Sequence, residues 1–184
     1  MKTISPIPEE DWDIAYKILK LKTVAAHQII FSREHVYTDI LFINKGLVRT
    51  YYISEDNNDI TFQIYEENNF AVDFSSFISR QPSQLICETL VTSELVFIPY
   101  IEVDELYKSF PSFTQFGRRA AEAAFLRAYN RALSLLTESA HQRYDRLIME
   151  RPSLMQRLPQ YYIASYLGIT PQSLSRIRRK KTKQ

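Results

Sequence analysis

Between His27 and Pro99 the hydrophobic residues fall in short runs, HQIIF, DILFIN, LVRTYYI, DITFQIY, QLICETL and ELVFIP, and after Pro111 they recur every three or four positions instead. One secondary-structure type cannot serve both patterns. The short runs are rich in Ile, Val, Phe, Tyr and Thr, and turn-forming stretches such as Asn44-Lys45-Gly46 and Glu55-Asp56-Asn57-Asn58-Asp59 separate them, which predicts antiparallel strands. Six or more strands at this spacing build a sandwich, a roll or a barrel. Upstream, Trp12, Ile14, Ala15, Ile18, Leu19 and Leu21 predict a short amphipathic helix within Glu9 to Lys22.

From Ser112 to Leu136 the chain holds no proline, and Gly117 is its only glycine. Phe116, Ala120, Ala123, Leu126, Tyr129, Leu133 and Leu136 follow in steps of three or four, predicting a helix about 37 Å long at 1.5 Å per residue. Its apolar stripe either packs on its own β-domain or pairs with a second copy as a two-helix coiled coil. The small Ala120 and Ala123 permit close helix approach and favour the pair.

The segment QYYIASYLGITPQSLSRIRR, from Gln160, has the order of two helices joined by a turn. Ile163, Ala164 and Leu167 form the inner face of the first, and Gly168 supplies a left-handed turn where a side chain is penalised. Thr170 can cap the second helix and Pro171 fits its first position, where no amide donor is needed. Leu174 and Ile177 then point inward, and Gln172, Arg176 and Arg179 fall on the opposite, exposed side. This is the logic of a helix-turn-helix that offers its second helix to a major groove. Arg176 can reach guanine acceptors and Gln172 an adenine edge. Thr170, Ser173, Ser175, Arg178, Arg179, Lys180, Lys181 and Lys183 suit phosphates.

Charge supports the division. Residues 1–137 carry 13 Lys/Arg against 18 Asp/Glu, net −5, and residues 138–184 carry 10 against 3, net +7. A compact cationic segment fits a polyanion such as nucleic acid, or an anionic membrane surface. The sequence has one cysteine, Cys87, so an internal disulfide is excluded and the roughly four ligands of an iron–sulfur cluster are missing. Its apolar strand context favours a packing role. A start of MKTISPIPEEDWD without an apolar signal core, and no stretch near the roughly 20 apolar residues that span a bilayer, point to the cytoplasm and away from a membrane.

With these parts in order, the chain resembles the cyclic-AMP receptor protein (Crp/Fnr) family of bacterial transcription regulators over nearly its whole length. The strongest local match is IASYLGITPQSLSRIRRK, and LFINKGLVRTYYI resembles the family's strand-glycine-strand hairpin with Gly46 at the turn. The resemblance implies an α+β fold: an N-terminal antiparallel β-roll of the cyclic-nucleotide-binding, jelly-roll kind over 1–110, a dimerisation helix over 111–137, and a helix-turn-helix DNA-binding domain over 138–184. It places Gln172, Ser173 and Arg176 at base-contacting positions, and implies double-stranded DNA, a second copy and RNA polymerase as partners.

Where nucleotide-binding members show a Gly-Glu pair and an Arg-Ser/Thr-Ala segment, this chain has NNFAVDFSSFISRQPSQLICETL. Val72 stands at the glycine and Asp73 at the glutamate. Ser83, Gln84 and Leu85 stand at the arginine segment, with Arg80 three residues early. A cyclic phosphate would lose its cation and meet a valine, so the expectation is a degenerate pocket that does not take cyclic AMP in the usual way, with no cofactor assigned and any other effector unknown.

Two other classes compete. A cupin-like small-molecule-binding protein or metalloenzyme would need paired histidines with a carboxylate; His27 and His35 stand at opposite ends of a turn and His141 lies in the helical part. G-x-S-x-G, P-loop and Rossmann fingerprints are missing from a chain with three glycines, so no metal or catalytic residue is assigned and the chain is not read as an enzyme. An interaction protein that has lost DNA binding is the third class, and the cationic face argues against it.

Overall fold

The computed structural model describes residues 6–181. The first helix, α1, spans Glu9–Ala15. Eight strands follow: β1 Lys20–Val24, β2 Ile29–Phe31, β3 Asp39–Lys45, β4 Val48–Ile53, β5 Asp59–Tyr65, β6 Phe70–Ala71, β7 Ile86–Thr89 and β8 Ser93–Pro99. A short helix α2, Phe74–Ser79, interrupts them after β6. The remaining helices are α3 Tyr100–Ser109, α4 Pro111–Thr137, α5 Ala140–Glu150, α6 Pro152–Arg157, α7 Gln160–Tyr166 and α8 Pro171–Lys181.

The strands form two four-stranded antiparallel sheets, ordered β1-β8-β3-β6 and β2-β7-β4-β5. Their shared core contains Phe31, Tyr37, Leu41, Ile43, Val48, Ala71, Cys87 and Leu95. Alternation explains the choice: Leu41 and Ile43 are fully buried on one face of β3, and the residues between and beside them are not. The expected α+β architecture, a jelly roll followed by a long helix and further helices, is present. Cys87 is buried in the roll, and burial pushes its thiol well above the ordinary range, so it packs rather than reacts. Gly46 has φ 119°, and a side chain there would run into Ser93, so this tight turn between β3 and β4 requires glycine.

One expected element is corrected. The helix read over Glu9 to Lys22 ends at Ala15, and Lys20–Val24 is strand β1, paired antiparallel with β8 from Lys20 opposite Phe97 to Val24 opposite Ser93. Side chains along β1 are mostly exposed, so no alternation marks it; its partner strand decides its conformation. Helix α3 fills the interval between the last strand and Pro111, for which no element was expected.

By packing the chain divides into two units. One runs to Tyr51 and resumes over Ile64–Phe125; the other contains Tyr52–Gln63 and the chain from Leu126 onward. The tip of the β4–β5 hairpin therefore groups with the C-terminal helices, and α4 contributes to both units.

Candidate nucleic-acid interface and the pocket of the roll

Helices α7 and α8 enclose the predicted turn. Ile163, Ala164, Leu167 and Leu174 are buried, as are Tyr144, Leu147, Leu154 and Leu158 from α5, α6 and the α6–α7 turn. Gly168 takes φ 68°, the Ile169 amide donates to the Ala164 carbonyl at 3.0 Å, and the Gly168 amide donates to Ser165 at 3.0 Å. These two bonds satisfy the last carbonyls of α7 and swing the chain into α8, with glycine at the one left-handed position. Thr170 Oγ1 accepts the Ser173 amide at 3.2 Å, and Pro171 is the first residue of α8.

Gln172, Arg176, Arg178, Arg179 and Lys180 are exposed along α8, and Ser173 and Ser175 are half-buried. Arg176 Nη2 donates to Ser173 Oγ at 3.0 Å. Lys181 is exposed as well and reaches α5: its Nζ lies 2.6 Å from Asp145 Oδ1 and 5.8 Å from the centre of the Tyr144 ring. That hydrogen bond holds the Asp145 carboxyl below its usual range. Lys181 thus fastens the end of α8 to α5. Lys183 lies outside the described residues.

Arginines that the sequence did not single out do much of the joining in this unit. Arg131 of α4 donates through Nη2 to the Thr61 carbonyl at 3.2 Å and to the Tyr166 carbonyl at 2.8 Å, with its guanidinium 4.0 Å from the Tyr166 ring centre. Arg143 of α5 donates to the Leu167 carbonyl at 3.0 Å. Two cations therefore sit on the carbonyl end of α7, where unpaired acceptors and the helix dipole favour positive charge. Ser165 Oγ accepts the Thr61 amide at 2.8 Å and donates to the Asp59 carbonyl at 3.2 Å, so a helix side chain bonds the hairpin strand as another strand would. Arg146 pairs with Glu138 at 2.6 Å and donates to Ser134. No spacing or motif marks these arginines, because the carbonyls and side chains they bond are brought to them by the fold.

In the roll, two of the residues that the resemblance sets at ligand-binding positions, Asp73 and Ser83, bond each other. Asp73, 5 % exposed, caps α2: its Oδ1 accepts the amides of Ser75 and Ser76 at 3.1 and 3.3 Å, and its Oδ2 accepts the Ser83 hydroxyl at 2.6 Å. Ser76 Oγ accepts the Tyr37 amide at 2.9 Å and donates to the Gln81 carbonyl at 2.7 Å. Arg80 has φ 60°, and its guanidinium lies 3.2 Å from the Tyr100 ring centre and 5.5 Å from that of Phe77. One of its N–H groups, on Nη2, is buried with no hydrogen-bond partner among the described residues. Val72 is half-buried and Gln84 exposed. Across the sheet, Arg49 and Glu88 face each other in register and pair at 2.5 Å while nearly fully buried.

The stripe on α4 is not uniform. Phe116 is half-buried with its ring 5.8 Å from that of Phe70, and Ala120 and Ala123 are half-buried. Leu126, Tyr129, Leu133 and Leu136 are 55, 54, 44 and 84 % exposed. Among the described residues no three His, Cys, Asp or Glu side chains cluster as metal ligands, and no helix is long and apolar enough to cross a membrane. His141 lies 3.5 Å from Asp145, and His35 Nδ1 is 3.2 Å from the Arg33 carbonyl.

Residues 21–110 match the cyclic nucleotide-binding domain family. No curated protein matches the chain by sequence. Among solved structures, the chain is similar to CLP, the c-di-GMP responsive global regulator of Xanthomonas campestris, with TM-score 0.76, 13% identity, and coverage of 96% of this chain and 92% of that one. FixK2 from Bradyrhizobium japonicum gives TM-score 0.79 and 13% identity over 91% of this chain and 86% of its own. The catabolite activator protein of Thermus thermophilus gives 0.60 and 14% over 96% and 84%.

Proposed function

Because the chain has the fold of the Crp/Fnr regulators, with a cyclic nucleotide-binding domain over residues 21–110, we propose that it is a homodimeric transcription regulator that reads a two-fold symmetric operator through α8. One observation carries this reading. Behind a glycine turn and a capped start, α8 presents Gln172, Arg176, Arg179 and Lys180 to solvent and buries Leu174 beneath them. Arg176 and Gln172 are assigned to base edges. Thr170, Ser175, Arg178, Arg179 and Lys180 are assigned to phosphates. Exposed Leu126, Tyr129, Leu133 and Leu136 supply the pairing surface, and a dimer would set two such helices one turn of duplex apart, roughly 34 Å. The role is regulatory and cytoplasmic, without catalysis, and RNA polymerase is the further partner this reading implies.

The roll is proposed to keep the sensor fold without the usual ligand. Asp73 and Ser83 are bonded to each other, and Arg80 lies on Tyr100. A nucleotide would have to break those bonds and find a cation elsewhere. Isothermal calorimetry with cyclic AMP is expected to give no micromolar binding; a micromolar isotherm defeats this part of the reading and leaves the DNA assignment standing.

The DNA assignment is tested by comparing Arg176→Ala with a variant lacking both Arg179 and Lys180 side-chain charges. Arg176→Ala should reduce the preference for selected over random duplex by roughly 10- to 100-fold. The charge variant should weaken both duplexes alike. Equal loss on both duplexes for Arg176→Ala contradicts the assignment.

A further inference from the structure

We propose that Ser173 is a positioning residue for Arg176 and meets DNA only as a hydrogen-bond donor; this rests on the reading of α8 as the recognition helix. Thr170, Ser173 and Arg176 are spaced three apart, which places them on one face of the helix. They are joined in series. Thr170 Oγ1 accepts the Ser173 amide at 3.2 Å, which leaves its own proton to donate to Ser173 Oγ at 3.1 Å. Arg176 Nη2 donates to the same Ser173 oxygen at 3.0 Å.

A hydroxyl has two lone pairs and one proton. Both lone pairs of Ser173 are taken, one by the capping threonine and one by the guanidinium, so its remaining capacity is one O–H. That proton can meet guanine N7 or O6, adenine N7, thymine O4 or a phosphate oxygen. It cannot receive a bond from the amino group of cytosine. The oxygen also tethers a long side chain that would otherwise sample many rotamers, so Arg176 arrives at the groove with part of its ordering already done. The cap fixes the start of the helix, Ser173 hangs on the cap, and Arg176 hangs on Ser173. Base preference at the position Arg176 reads thus depends on Ser173, the residue one step before it in the series.

The test uses full-length protein and a random-sequence duplex library, with the selected duplex and a scrambled one then titrated by fluorescence anisotropy. Ser173→Ala should reduce affinity for the selected duplex roughly 3- to 10-fold, leave the scrambled duplex unchanged, and blur selection at the same base pair that Arg176→Ala blurs. Ser173→Thr, which keeps the hydroxyl, should restore selection there. Circular dichroism should show unchanged helicity in Ser173→Ala, because Thr170 still caps the backbone amide. The proposal is overturned if Ser173→Ala selects as wild type does, if it blurs a base pair different from the one Arg176 controls, or if Ser173→Thr fails to rescue. If wild type enriches no sequence and binds no duplex, the recognition-helix reading fails and takes the proposal with it; if Arg176→Ala alone loses selection, that reading stands and only the role of Ser173 falls.

Discussion

Asp73 occupies the place where, by family resemblance, a carboxylate would take a ribose hydroxyl, and in this chain three protein donors reach it. Two backbone amides at the start of α2 and the Ser83 hydroxyl satisfy it while it is 5 % exposed. A carboxylate one methylene shorter than glutamate sits closer to its own backbone, where capping a helix is the favoured use. Asp73→Ala should therefore lower global stability by about 1–2 kcal/mol, since it removes the cap of α2 and leaves the buried Ser83 hydroxyl with the Leu85 carbonyl as its acceptor in place of a carboxylate. Urea unfolding of the two proteins measures this. An unchanged midpoint would mean that the carboxylate is held for a ligand rather than for the fold.

The clasp between the β4–β5 hairpin and α7 belongs to the element scale. Ser165 takes the Thr61 amide, and Arg131 takes the Thr61 and Tyr166 carbonyls. Arg131→Met keeps much of the side-chain volume but removes the guanidinium's bonds to the Thr61 and Tyr166 carbonyls, at a cost of about 2–3 kcal/mol. The loss should be local. Amide hydrogen exchange should accelerate at Thr61 and along Ile163 to Leu167 while the Leu41 and Ile43 amides of the roll keep their protection; equal acceleration in the roll would show that Arg131 supports the whole fold. This clasp also marks what the sequence could not reveal. Helices α4, α7 and α8 were legible because apolar period, Gly168, Thr170 and Pro171 act locally. Strands β3, β4, β5, β7 and β8 were legible because β-branched and aromatic runs ended at turn residues. Strand β1 was not, because its exposed side chains carry no alternation and only pairing with β8 fixes it. Arg131 and Ser165 were not, because their partners are backbone atoms some 70 and 104 residues away in sequence. In the roll, Val72 and Asp73 could be placed from order alone, and the Asp73–Ser83 bond could not.

At the scale of the whole molecule the proposed dimer rests on the exposed part of the α4 stripe. Leu126, Tyr129, Leu133 and Leu136 leave an apolar row in solvent, whereas Phe116 is already packed against Phe70. Burying such a row against a second copy removes it from water and pairs the two copies of α8 by symmetry. Replacing Leu126 and Leu133 together by Lys puts like charges on both sides of that seam without touching a buried side chain, so each chain should stay folded and the pair should separate. Sedimentation velocity should show a dimer for wild type and a monomer for the variant, with unchanged circular dichroism. The consequence for DNA follows from counterion release: a dimer neutralises twice the phosphates of one protomer, so the salt dependence of operator binding, plotted as log affinity against log salt, should fall to about half its slope in the variant. A variant that is monomeric yet keeps the full slope would mean that one chain makes all the phosphate contacts, and the two-headed arrangement would be wrong.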